Sequence, residues 1–137
     1  MLDHLAIEVT DVDTSAEFYL EVLAPIGIAQ STRLEFEGEV IVGLSGPSGR
    51  PSFWLNPAQS PETREVHVAF KAQDVATVDA VYKAALKAEI EIIHAPREYP
   101  EYHPGYYAVF VRDPDGHNIE AVFHGPLNAP VQEFEQY

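Results

Sequence analysis

Shifted along itself by 63 residues, the chain meets a second copy of its own beginning. His4 falls on His67, Ala6 on Ala69, Asp11 on Asp74, Val12 on Val75, Thr14 on Thr77, Tyr19 on Tyr82 and Leu23 on Leu86. These are seven identities in the twenty positions 4–23, without a gap. Unrelated segments of ordinary composition share roughly one or two. Other pairs keep their character, as in Leu5 with Val68 and Ile7 with Phe70. A supersecondary unit made twice constrains the fold before any local preference is considered.

Each half follows the same order of elements. Residues 3–9 alternate, with Leu5, Ile7 and Val9 on one face and His4, Ala6 and Glu8 on the other. Asp11 and Asp13 offer helix N-caps, and apolar residues at helical spacing predict a helix over 14–23, closed by Pro25 and Gly27. Strands are expected at 33–39, 40–44 and 52–55, with a Gly46-Pro47-Ser48-Gly49 turn before the last. The second half predicts a strand at 65–71, a helix at 74–88 and strands near 90–94, 106–112 and 117–123. Both halves therefore read β-α-β-β-β within one domain, 1–137. The first module covers 2–56, a proline-containing linker 57–64, the second module 65–124 and a polar tail 125–137. The tail is expected to wrap a partner subunit or to fray.

Asp113-Pro114-Asp115-Gly116 is a strong turn signal between the last two strands. Pairing outward from that turn sets Glu120 against Val109 and Val122 against Tyr107. A bulge would move the register by one and reverse the faces.

Charge and cysteine content narrow the chemistry. Eight basic residues against 22 acidic ones give a formal charge of −14. Nucleic acid and anionic membrane surfaces are disfavoured, because their phosphates are repelled at long range. The chain has no cysteine, which removes disulfides, thiolate zinc sites, iron–sulfur clusters and cysteine nucleophiles. No apolar run approaches the ~20 residues of a membrane span, and a strand-like segment starts almost at Met1. The expectation is a cytoplasmic protein without a secretion signal.

The polar faces of the first and last strands carry the candidate chemistry. His67 lies with Ala69 and Lys71, and Glu120 with Val122 and His124, opposite the apolar rows that must cover the helices. Histidines at equivalent places of a repeat, plus one carboxylate, suit a divalent metal such as Fe, Mn, Ni or Zn. The three candidate ligands are His4, His67 and Glu120. Taken alone, His4 reads as an ordinary strand histidine; its partners make the case for a shared ion.

The repeat, His4 in Leu-Asp-His-Leu-Ala, His67 in Glu-Val-His-Val-Ala-Phe and Asp113-Pro-Asp-Gly-His-Asn-Ile-Glu120-Ala resemble the vicinal oxygen chelate superfamily. Its members include glyoxalase I, extradiol dioxygenases, fosfomycin-resistance enzymes, methylmalonyl-CoA epimerases and bleomycin-resistance proteins. The resemblance covers residues 2–124. It implies an α+β fold, two βαβββ modules forming a cup-shaped, partly closed mixed sheet around a metal, usually in a homodimer. It implies His4, His67 and Glu120 as ligands, with a fourth place within residues 52–56. Glyoxalase I typically has a carboxylate at that place, and this chain has none.

Other residues are candidates of a second rank. Glu8 and His124 lie on the polar faces and can serve as general bases, or can simply meet water at the rim. Tyr107 can line the pocket or be a structural aromatic. The segment 97–107 is rich in aromatic residues, proline and glycine. It reads either as a stiff loop over a substrate, with Tyr99, Tyr102 and His103 as contacts, or as a crossover covering a sheet edge or dimer contact. Phe53 and Trp54 read as pocket wall or as core. His117, after a tight turn, is expected at the surface. The function expected is that of a metal-dependent enzyme on a small substrate that chelates the ion through oxygens. Its chemistry would be glyoxalase-like lyase or isomerase, or dioxygenase. The alternative is a non-catalytic protein that sequesters a drug or metabolite, for which an acidic, aromatic cleft suits a cationic ligand.

Overall fold

The computed structural model describes residues 3–60 and 65–125. The first module runs β1 (Leu5–Val9), α1 (Val12–Val22), a single 3₁₀ turn (Ala24–Ile26), β2 (Ala29–Phe36), β3 (Glu39–Ser45) and β4 (Pro51–Pro57). The second runs β5 (His67–Lys71), α2 (Val75–Lys87), β6 (Ile92–Glu98), β7 (Tyr106–Arg112) and β8 (Asn118–His124). Each module makes its own four-stranded sheet, in the orders β1-β4-β3-β2 and β5-β8-β7-β6. The first strand pairs parallel with the fourth and the other neighbours are antiparallel. The fold is α+β, with two mixed sheets that do not close into a barrel.

Part of the repeat is a helix cap used twice. The Asp11 carboxylate accepts from the Thr14 amide at 2.9 Å, and Asp74 accepts from the Thr77 amide at 2.7 Å. Each satisfies an amide that the first helical turn leaves without a partner. The caps put the helix starts at Val12 and Val75, close to the expected 14 and 74.

Both helices bury their apolar sides in one core with the apolar rows of both sheets. Ile7, Val9, Leu44, Phe53 and Leu55 enter from the first module and Val81, Val109, Ile119 and Ala121 from the second. Phe53 meets Tyr19 edge-on at 5.1 Å and Phe70 at 5.2 Å, so an aromatic cluster crosses the boundary between modules. Such pairs add about 0.5–1.5 kcal/mol beyond the area they bury.

The Asp113–Gly116 turn is a second bond between the modules. Tyr19 donates to Asp113 Oδ2 at 2.8 Å, and the Thr10 amide donates to Asp115 Oδ1 at 3.0 Å. Burial and the neighbouring Asp113 carboxylate push the Tyr19 phenol far above its ordinary pKa, so it stays a donor.

Strand boundaries differ from expectation most clearly at β2 and β6. The strand expected over 33–39 breaks at Glu37 and Gly38, whose φ angles of 51° and 82° make a tight two-residue hairpin between β2 and β3. The strand expected near 90–94 runs later, as β6, with register shifts on either side of His94. Pro96 is tolerated there because β6 ends its sheet. Part of the linker, 61–64, and the tail from 126 onward lie outside the described residues, and with them the expectation that the tail wraps a partner. No helix among the described residues is long and apolar enough to cross a membrane.

Candidate metal centre

Parallel pairing of β5 with β8 sets Ala69 level with Glu120 and His67 level with Asn118. His67 and Glu120 therefore project from the same side of adjacent strands. The His67 Nε2 lies 2.7 Å from Glu120 Oε2. A carboxylate only accepts, so Nε2 carries the proton in this arrangement. The Glu120 side chain is 3% exposed, whereas His67 is 52% exposed. A buried carboxylate needs donors to offset its lost hydration. Glu120 has a second one in the Tyr106 hydroxyl, which donates to Oε1. Phe110, directly opposite Glu120 on β7, forms the floor beneath the His67 ring at 5.9 Å.

The hairpin register corrects one expectation. Phe110 pairs with Glu120 and Ala108 with Val122, one residue from the pairing expected on the turn alone. Gly116, at φ 84°, is the extra residue: Asp113 donates its amide to the His117 carbonyl while Gly116 donates to Asp113. This is a turn closed by a left-handed glycine bulge. The one-residue shift reverses β7. Tyr107 turns to the helix side, where its hydroxyl donates to Asp79 Oδ1 at 2.6 Å. That carboxylate, with burial second, pushes the Tyr107 pKa up to about 12. Tyr107 is therefore not on the face of Glu120. Tyr106 is, and the alternation of β7 would have pointed to it once the bulge was placed.

His4 does not join His67 and Glu120 within the chain. Among the described residues no three His, Asp or Glu side chains gather around a common point. His4 is exposed and sits 2.8 Å from Asp3 Oδ1, and Arg50 reaches the other Asp3 oxygen at 2.6 Å. The His4 hydrogen bond, then Arg50, hold the Asp3 carboxyl below its ordinary pKa. Ala6 and Glu8 share the exposed face of β1 with His4. One imidazole and one buried carboxylate are thus brought together, and the third expected ligand belongs to a different sheet.

Register also locates the counterpart of Glu120 in the first module. Ala69 is level with Glu120, and its repeat-mate Ala6 is level with Trp54. Trp54 stands where the second module has its carboxylate. Its indole lies across Gly43, where a Cβ would come within 2.8 Å of the ring. Phe53, one residue earlier, points the other way into the core, so of the two candidates only Trp54 faces outward.

The segment from Tyr99 to Tyr106 folds back onto the outer face of its own sheet. Tyr99 and His103 are buried, and Tyr102 is exposed and stacked on Tyr99 at 5.5 Å. Tyr99 packs on Phe110 and Tyr106, so the crossover covers the sheet. His103 is turned inward, not toward an open pocket: its Nδ1 donates to the Pro104 carbonyl at 2.9 Å and its Nε2 meets His124 Nδ1 at 2.9 Å. The two imidazoles stack at 5.2 Å. Burial first, then His103 and Lys71, lower the pKa of His124 and favour its neutral form. The Tyr99 hydroxyl is buried without a hydrogen-bond partner among the described residues.

His117, expected at the surface, is 2% exposed. Its Nδ1 accepts from the Val66 amide at 2.9 Å, which ties the turn to the start of β5. Arg50 and Arg97 meet the carboxylates of Asp3 and Glu101, as surface arginines in an acidic chain are expected to.

Comparison with known proteins adds to this geometry. The family model described as Glyoxalase/Bleomycin resistance protein/Dioxygenase superfamily matches residues 1–121. No curated protein matches the chain. Among solved structures, a glyoxylase/bleomycin resistance protein/dioxygenase domain from Frankia sp. EAN1pec is similar at 19% identity and TM-score 0.74, covering 93% of this chain and 94% of that one. A lactoylglutathione lyase from Agrobacterium tumefaciens is 25% identical with TM-score 0.67, over 90% of this chain and 92% of that one. A variant of the fosfomycin resistance protein FosX from Listeria monocytogenes, complexed with Mn(II) and a dihydroxypropylphosphonic acid, is 17% identical with TM-score 0.68, over 93% and 94%.

Proposed function

Because this chain belongs to the Glyoxalase/Bleomycin resistance protein/Dioxygenase superfamily, we propose that it is a metal-dependent enzyme acting on a small substrate that chelates a divalent ion through oxygens. The observation that carries this proposal is the pairing of His67 Nε2 with the buried Glu120 Oε2 at 2.7 Å. Imidazole and carboxylate together suit Fe, Mn, Ni or Zn. Such an ion supplies Lewis-acid stabilisation of charge on substrate oxygens. The chemistry is a glyoxalase-like lyase or isomerase step, or a dioxygenase step. Trp54 in place of a carboxylate leaves three protein ligands at most, with room for substrate oxygens.

The site is completed by a second copy of the chain. His4 occupies the place in the first module that His67 occupies in the second, on an equally exposed face. A homodimer that sets the β1 face of one copy against the β5–β8 face of its partner supplies the missing imidazole. His67 then holds its ring over Phe110. His124, kept neutral, and Glu8, on the same exposed face as His4, are the candidate general bases.

Isothermal titration with Mn(II), Ni(II) and Zn(II) tests the proposal, with His67→Ala and Glu120→Gln as controls. Stoichiometric binding lost in both variants is expected; equal binding in all three proteins defeats it. Mixing His4→Ala with His67→Ala tests sharing. Two defective chains regain one intact site per mixed dimer if the site is shared, and none if it is not. A sequestering role is the second reading, for which the exposed Tyr102 ring in an acidic chain offers a cationic ligand a contact. Under it, His4→Ala leaves ligand affinity intact.

A further inference from the structure

The Glu120 carboxylate has two oxygens, and the structure uses them differently. Oε2 faces the exposed His67; Oε1 takes the Tyr106 hydroxyl below the surface. Tyr106 reaches Glu120 from a distance along the sheet, since its own Cα partner on β8 is His124. Its ring must lean along the strand to do so, and neighbouring rings hold it there. Tyr102 packs edge-on at 5.0 Å, His124 at 5.1 Å, His103 at 5.3 Å and Tyr99 at 6.0 Å. With Tyr106 only 7% exposed, the hydroxyl has little freedom to leave.

We propose that Tyr106 is a positioning residue for Glu120. Its hydroxyl engages Oε1 and thereby presents Oε2 alone beside His67. This role rests on the metal-binding reading above and adds to it the residue that sets carboxylate orientation. A carboxylate held by one imidazole only can rotate about its last torsion and offer either oxygen, or both. A second donor on the buried side removes that freedom before any ion arrives. Hydrogen bonds that orient a ligand in this way are worth roughly 10–100-fold in metal affinity. The aromatic roof over sheet two then has a definite task, because Tyr99, Tyr102 and His103 pack the Tyr106 ring and fix its hydroxyl.

Tyr106→Phe keeps the ring and removes only the hydroxyl. In the full chain, titration with Co(II) followed by visible absorption reads both affinity and coordination. The expected result is a loss of about tenfold or more in affinity and a changed Co(II) spectrum. A merely structural hydrogen bond lowers the melting temperature and leaves that spectrum alone. A double-mutant cycle gives a second measure: with Glu120 already changed to Gln, Tyr106→Phe is expected to have no further effect on residual binding. Wild-type affinity and spectrum in Tyr106→Phe, beside a Glu120→Gln variant that has lost binding, overturn the role of Tyr106 while the metal site stands. If the wild-type chain takes up no Co(II), or Glu120→Gln binds as it does, both the metal site and the role of Tyr106 are wrong.

Discussion

The two modules share a strand order, two helix caps and a pair of histidines, yet their outer faces are finished in opposite ways. The face of the second sheet is roofed: Tyr99 and Tyr106 pack with Phe110 and Val122 in a small cluster of their own. The face of the first sheet is bare. Leu34 is 50% exposed and Phe36 71%, and no segment among the described residues folds back over them. The carboxylate of one module is a tryptophan in the other. Duplication has therefore kept the parts that make the fold and let the faces diverge. The roofed face holds a buried acid, and the bare face shows two large apolar side chains among the described residues.

Single substitutions on the two sheets test that contrast. The largest effect is expected within the first sheet itself. Phe53→Ala removes a ring that joins the modules and should cost about 3–5 kcal/mol, measured by urea unfolding. A loss below 1 kcal/mol would mean that the modules do not share a core. Trp54→Glu moves the bare module toward the other by placing a carboxylate at the counterpart of Glu120. Metal affinity in titration calorimetry is expected to rise roughly tenfold, or about 1.4 kcal/mol; no change would separate Trp54 from the site.

Acid should act on the roofed face. The folded state holds the His124 pKa below its ordinary 6.5, so the unfolded chain takes up that proton first as pH falls. Unfolded protein then binds more protons, and stability falls as pH drops through 6.5 toward the lower folded value. The loss is smaller than the ~1.4 kcal/mol per pH unit that one fully coupled proton can produce, because the imidazole is only partly buried. Thermal melts between pH 7.5 and 5 should show a shallower decline for His124→Asn than for the wild type. The smallest effect belongs to the bare face. Phe36→Ser is expected to change the unfolding free energy of the monomer by no more than about 0.5 kcal/mol. The same change should weaken self-association in sedimentation experiments, where the exposed ring matters.

Much of the fold was legible because it is written in local pattern and said twice. Asp11, one of two caps offered, and the repeat of its Asp and Thr at Asp74 and Thr77 placed both helices within two residues of their starts. Alternation in 3–9 and 65–71 separated the histidine-bearing faces from the core faces. The candidate site was half legible. His67 and Glu120 were legible because the repeat and the turn motif singled them out. Tyr106 was hidden by a single left-handed glycine: with Gly116 counted into the strand the register names Tyr107, and with Gly116 as a bulge it names Tyr106. The burial of His117 and the inward turn of His103 depend on contacts between segments far apart in the chain, which no local period encodes. The place of His4 relative to His67 and Glu120 depends on how sheets pack, and sequence pattern carries little about that.

The hairpin tip from Asp113 to Gly116 has one more consequence. It behaves as a rivet: its acids are driven against the first helix and the residue before its cap through Tyr19, Ser15 and Thr10. A chain fastened this way resists being pulled into halves that trade places with those of a neighbour. The two halves of one chain are thereby locked together at a point far from both polar strand faces.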